Sequence, residues 1–315
     1  MITVGEVHTA LLQHSAAAHL DRAGELLDLV IGDRVRTSER PIAYAASPEL
    51  LTGIDCTLPT AGGAHVRGIG TVTTRALLTG GRILQGSTYG HVVKSRHTRR
   101  MPWSHYLSQP GIIEAVGKAD IKQLADGFRN PIAGTESIID LGSISGRTID
   151  AVQAKTDRDK PIESERTRLR WVAVEGDQHN SLMFSIDAEH HRTARFPAGN
   201  QEPAVLAELA ADIAVHDWLL TTTLAFVEKV GIGSKGRDGV IKGLRPLIDH
   251  ILHLWMPAAR LHPSLSELWE SLERRPGFSR QWNTLIARIR DQLMLATIAS
   301  PSGDSSLDSW TRPTM

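Results

Sequence analysis

The sequence has one cysteine, no long apolar run and no basic residue near its start. Cys56 is the only cysteine among 315 residues, so no disulfide can form within the chain and a reducing compartment is expected. No apolar run reaches the length needed to cross a bilayer. The first positively charged side chain is Arg22, so the start lacks the basic region of a signal peptide. These absences predict a cytoplasmic protein that does not enter a membrane.

Acidic residues are missing from one long segment. Residues 56–113 contain seven lysines and arginines and no aspartate or glutamate, although the whole chain has 35 basic and 35 acidic residues. The seven are Arg67, Arg75, Arg82, Lys94, Arg96, Arg99 and Arg100. A net charge of zero argues against wrapping of nucleic acid over the whole surface. Any anionic partner is therefore expected to bind locally, at this segment.

The pattern inside this segment predicts a β-hairpin. Residues 66–78 are rich in β-branched and apolar side chains, and Thr79, Gly80 and Gly81 then supply the positive-φ positions of a tight turn. The second arm runs into the basic residues 94–100, with Trp103 close behind. Cations beside an aromatic ring favour contact with an anionic partner. The alternative is a solvated loop that forms salt bridges within the chain. The predicted contact residues are Arg75, Arg82, Lys94, Arg96, Arg99, Arg100 and Trp103.

The remaining pattern predicts an α+β protein built in four parts. Residues 1–160 form an α+β part that contains the basic hairpin, and Ser47 and Pro48 are expected to open a short helix there. Residues 161–230 are predicted to form a small antiparallel sheet with one long buried helix, and residues 240–299 a helical set. Residues 300–315 are rich in Pro, Ser, Gly and Asp, which predicts a disordered tail.

A His-Asp dipeptide lies in the long apolar helix. His216 and Asp217 are surrounded by leucine, valine, phenylalanine and tryptophan, so both side chains are expected to be buried and to need polar partners. We favour a buried structural pair. The alternative is a pair of metal ligands in a metal-dependent hydrolase. Further ligands would then come from Asp249, His250 or His253.

Four stretches resemble a known family: SERPIAY (38–44), TRALLTGG (74–81), PWSHYL (102–107) and HDWLL (216–220). The chain resembles an uncharacterised actinobacterial family that is encoded in gene cassettes with a methyltransferase-like protein and a P-loop protein. The resemblance covers residues 1 to about 230. It implies partner proteins from the same cassette and carries no known activity.

Three functions are consistent with the sequence. The leading hypothesis is a non-catalytic cytoplasmic subunit or adaptor that binds partner proteins, with the basic hairpin as a contact surface and no cofactor. The first alternative is a nucleic-acid-binding component that uses the same hairpin. The second is the metal-dependent hydrolase that uses His216 and Asp217.

Overall fold

The computed structural model describes residues 1–62, 66–118, 120–129, 139–159, 162–176, 181–230 and 237–298. The chain is an α+β protein, as the sequence predicts. None of the helices in these ranges has the length and apolar character needed to cross a membrane. The predicted disordered tail, residues 300–315, lies outside the described residues.

Ten strands and eight α-helices make up the described part of the chain. The strands are β1 (Ile2–Leu11), β2 (Arg36–Ser38), β3 (Tyr44–Ala46), β4 (Leu50–Leu58), β5 (Val66–Thr79), β6 (Ile83–Lys94), β7 (Ile112–Val116), β8 (Thr167–Val174), β9 (Met183–Ala188) and β10 (His191–Pro197). The helices are α1 (Leu20–Leu27), α2 (Trp103–Leu107), α3 (Ile121–Arg129), α4 (Leu141–Gln153), α5 (Pro203–Val230), α6 (Arg237–His250), α7 (Ser266–Arg274) and α8 (Phe278–Ile298). Leu252–Leu254 and Pro263–Leu265 form short 3-10 helices.

The ten strands form one sheet in the order β2-β3-β5-β7-β6-β1-β8-β10-β9, with β4 also paired to β5. The predicted hairpin is its centre: β5 and β6 pair antiparallel, with Thr79 opposite Ile83. Gly80 and Gly81 both have positive φ, at 59° and 62°, and the Arg82 amide donates to the Thr79 carbonyl at 3.1 Å. Only glycine adopts such a backbone without strain, so these two residues fix the turn.

Helices cover both faces of the sheet. The side chains of β1 show this, because they pack alternately into two different cores. Val7 belongs to the large core formed with α5 and the C-terminal helices α6–α8. Val4 lies in a second core with Leu124 and Phe128 of α3 and Leu141 of α4. Successive side chains of a strand point to opposite faces, so odd and even residues of β1 serve the two layers. β1 is therefore buried on both sides.

The prediction of a separate second sheet in residues 161–230 is wrong. β8 pairs antiparallel with β1, so Thr167 lies opposite Thr9 and the strand extends the main sheet. β10 then lies parallel to β8, and β9 pairs with β10 from the outside. A strand buried on both faces, such as β1, leaves hydrogen-bonding groups at its edge that need a second neighbour. β8 supplies that neighbour. The local pattern of residues 161–230 does not reveal this need, because the need arises in β1.

The helix predicted at Ser47 and Pro48 is also wrong. The chain enters β4 at Leu50. The Ser47 hydroxyl accepts from the Ala76 amide at 2.9 Å, while the Ser47 amide donates to the Ala76 carbonyl at 2.8 Å. Ser47 therefore joins the chain between β3 and β4 to β5 and does not start a helix.

Candidate partner-binding surface

Two of the predicted contact residues have internal partners. Arg82 is 4% exposed, and its Nη1 donates to the carbonyls of His14 and Ser15 at 3.0 and 3.3 Å. Its Nη2 lies 3.2 Å from Nδ1 of His250. Arg75 forms a salt bridge with Glu49, and its Nη1 lies 3.9 Å from a Glu208 oxygen. Arg75 and Arg82 are therefore structural residues, and we remove them from the contact surface.

The other five predicted residues lie together at the end of β6 and the start of α2. Lys94, Arg96, Arg99 and Arg100 are exposed, and Trp103 keeps 37% of its surface in solvent. We call these five residues the basic surface. The ring of Trp103 lies against Gly53, where a Cβ atom would be 3.3 Å from the ring. A side chain at position 53 would therefore press against the tryptophan.

Asp55 compensates part of this charge. Arg67 binds it through two nitrogens at 2.7 and 2.8 Å, and the Arg100 Nε lies 3.2 Å from its Oδ2. The hydrogen bond from Arg67, assisted by Arg100, lowers the pKa of Asp55. The Arg100 guanidinium also lies 5.3 Å from the Trp103 ring centre. By contrast, Lys94, Arg96 and Arg99 form no ion pair with any carboxylate in the described part of the chain.

Glu114 holds the segment that carries the basic surface. Its two carboxylate oxygens accept from the Ser95 hydroxyl and contact Nε2 of His105, both at 2.6 Å. Burial alone would raise the pKa of Glu114, but these hydrogen bonds and the electrostatic effect of His105 and His97 together outweigh burial and lower the pKa. The Ser95 hydroxyl accepts in turn from the His97 amide at 3.1 Å. Glu114 is not among the predicted site residues, although an acid within the apolar run of β7 is a usable signal.

His216 and Asp217 are both buried, but they do not pair with each other. The Asp217 Oδ2 accepts from the Arg192 Nε at 2.8 Å. The His216 Nδ1 donates to the Asp212 carbonyl at 2.7 Å, and its ring packs edge-on against Trp255 and Trp269. Successive residues of an α-helix point about 100° apart, so neighbours in sequence need not share a site.

Arg192 completes the surroundings of Asp217. Its Nη1 donates to the carbonyls of Ala188 and Glu189 at 2.9 and 2.6 Å, and its Nη2 to the Thr221 hydroxyl at 2.9 Å. Burial raises the pKa of Asp217 to about 6 despite this cation. Within the described ranges, no group of three or more His, Cys, Asp and Glu side chains is placed to hold a metal ion. The geometry thus assigns Asp217 a salt bridge with Arg192.

A second buried ionic cluster, which the sequence does not predict, joins β1 to β8. Glu6 of β1 is fully buried, and its two oxygens accept from the Nε atoms of Arg168 and Arg170 on β8, at 2.5 and 2.8 Å. Arg170 lies directly opposite Glu6 in the strand register. The signal in the sequence was one acid in the apolar strand β1 and two arginines that lie two positions apart in β8. The two strands could be matched only once their pairing was known.

Within the part of the chain that the structure describes, the Cys56 thiol contacts a backbone carbonyl and no basic side chain. The thiol donates to the Gly68 carbonyl over 3.7 Å, and burial raises its pKa to about 12. Thiolate is the reactive form, so the folded protein should react slowly with a thiol reagent at pH 8. We expect labelling by dithiobis(nitrobenzoate) to accelerate strongly only when urea unfolds the chain. Rapid labelling of the folded protein would contradict this assignment.

No protein-family model matches this chain, and no curated protein or solved structure is significantly similar to it.

Proposed function

We propose that this chain is a non-catalytic binding subunit that contacts an acidic surface of a partner protein through its basic surface. The proposal rests on the exposure of Lys94, Arg96 and Arg99 and on their lack of ion pairs with the residues that the structure describes. All three are exposed, and none has a carboxylate partner among the described residues. Unpaired charges of one sign attract a surface of the opposite sign and guide its approach.

The surroundings of these cations suit a binding surface. Trp103 lies beside them with 37% of its surface exposed, and tryptophan and arginine are enriched where proteins bind one another. Glu114 holds Ser95 and His105, so the segment that carries Arg96 and Arg99 is anchored at both ends before a partner arrives. Anchoring reduces the conformational entropy that is lost on binding.

An acidic protein is favoured over nucleic acid because the excess charge is small and confined to one place. Asp55 already neutralises part of it through Arg67 and Arg100. A nucleic-acid site normally gathers more cations along a groove or stripe. We further propose that the partner is one of the cassette-encoded proteins suggested by the family resemblance.

The experiment replaces Lys94, Arg96 and Arg99 together by alanine. The matched control replaces Arg34, Arg36 and Arg40, which are also exposed and carry the same charge. Affinity purification of each tagged form, co-expressed with the cassette proteins, should recover a partner with wild type and control and much less with the first variant. Exposed substitutions change stability by only about 0.5 kcal/mol, so both variants should melt near the wild-type temperature.

A nucleic-acid titration separates the two hypotheses. Binding of a single-stranded oligonucleotide with a steep loss of affinity as salt rises, abolished in the first variant alone, would replace the protein partner by nucleic acid. Equal recovery of partner protein with both variants would show that the basic surface is not used.

A further inference from the structure

An open groove of about 690 Å³ lies between the edge strand β9 and the helices α5 and α8. Most of its lining is apolar and comes from Phe184, Ile186, Leu220, Leu224, Phe278 and Leu285. Ile186 is 63% exposed and Leu224 is 38% exposed, so large apolar side chains face solvent along its walls. Small-molecule sites commonly have this volume and a mostly apolar lining with a few polar groups.

The charged residues that line the groove are three arginines and one aspartate. Arg280 and Arg288 lie on the wall formed by α8. They are eight residues apart, about 12 Å along the helix axis. Arg280 donates to the Pro276 carbonyl at 3.3 Å, and neither arginine forms an ion pair with another residue that the structure describes. The acid that lines the groove, Asp217, is bound to Arg192 at 2.8 Å. Two positive charges are thus left uncompensated beside an apolar surface.

We infer that this groove binds a small amphipathic carboxylate, meaning a carboxylate joined to an aliphatic chain or an aromatic ring. The apolar body would cover Ile186 and Leu224, and the carboxylate would pair with Arg280 or Arg288. Arginine suits that role because its planar fork can donate two parallel hydrogen bonds to a carboxylate. A cationic ligand would be repelled by the same two residues. This inference does not depend on the proposed function, since the groove and the basic surface share no residue.

Isothermal titration with decanoate tests the inference, with decanol as a probe of the same chain length without charge. The wild-type protein should bind decanoate saturably and decanol more weakly. Arg280→Gln and Arg288→Gln remove the proposed partners of the carboxylate. A lost hydrogen bond to a charged group corresponds to roughly tenfold in affinity. At least one of the two variants should therefore weaken the binding of decanoate by about that factor. Neither should change the affinity for decanol.

Arg290→Gln is the matched control, because Arg290 is an exposed arginine of the same helix that does not line the groove. It should leave decanoate binding unchanged. Ile186→Ser should weaken both probes, because it removes apolar wall at an exposed position that the fold does not need. Absence of saturable decanoate binding would overturn the inference. So would equal affinity for decanoate and decanol, or equal weakening by Arg290→Gln and both groove variants.

Discussion

Glu6→Ala should lower the free energy of unfolding by about 3 kcal/mol. The substitution leaves Arg168 and Arg170 side by side with no carboxylate between them, and breaking a buried ion pair from one side typically costs about 3–5 kcal/mol. The lower end applies because the two arginine side chains remain 25% and 19% exposed, so water can solvate them in part. Urea unfolding followed by circular dichroism measures this change.

Two comparisons test whether burial causes the loss. Glu25→Ala breaks an ion pair of similar length, Arg22 to Glu25 at 2.6 Å, in which both side chains are exposed. Exposed pairs contribute at most about 1 kcal/mol, so that variant should unfold almost like wild type. Glu6→Gln keeps the shape and one acceptor oxygen, and should fall between the two. A loss in Glu6→Ala no larger than in Glu25→Ala would contradict the assignment.

Elements with a strong local signal could be predicted from the sequence. The hairpin of β5 and β6 was predicted because its turn requires two consecutive glycines and its arms are rich in β-branched residues. The long helix α5 was predicted because apolar residues continue around its whole circumference after Pro203. Both are confirmed. In each case the residues that specify the element lie within it.

The charge of the folded surface could not be predicted in the same way. The acid-free segment contains seven cations, six of which are predicted to contact a partner, yet Asp55 and Glu49 lie just before that segment. Antiparallel pairing of β4 with β5 brings Asp55 beside Arg67 and Glu49 beside Arg75. A hairpin-like reversal of the chain thus mixes charges that the sequence separates. Counting charges along a sequence overestimates the surface patch wherever neighbouring strands run back on each other.

The partners of the buried charged side chains could not be predicted either. Arg192 and Asp217 are 25 residues apart, and Glu6 and Arg168 are 162 residues apart. Burial of His216 and Asp217 followed from the apolar helix around them, but the identity of their partners depended on how that helix lies on the sheet. The rule that buried charges need partners predicts that a partner exists without saying which residue it is.

Arg192→Met should destabilise the protein by about 3–5 kcal/mol at pH 7.5, because it leaves the buried Asp217 carboxylate without its cation. The loss should shrink as the pH falls. Burial already raises the pKa of Asp217 to about 6 from an ordinary value of 3.8, and removing Arg192 raises it further. Between pH 4 and about 6 both folded proteins hold a proton on Asp217 that the unfolded chain has released, so their stabilities change together. Above about pH 6 only the folded variant keeps this proton, so the loss grows as the pH rises from there. Protonated Asp217 carries no charge and needs no cation.

Urea unfolding at several pH values between 5 and 7.5 measures this dependence, taken as the difference between variant and wild type. His8 has a pKa lowered to about 4, chiefly by burial, and shifts stability in the opposite direction over this range. It is present in both proteins, so its contribution cancels in the difference. Adding Asp217→Asn to Arg192→Met should remove the increase of the loss above about pH 6 and recover part of the stability at pH 7.5. The bonds from Arg192 to Ala188, Glu189 and Thr221 stay lost, so recovery should be incomplete. A loss that is the same at pH 5 and pH 7.5 would mean that those three bonds, and not the charge of Asp217, account for the stabilising effect of Arg192.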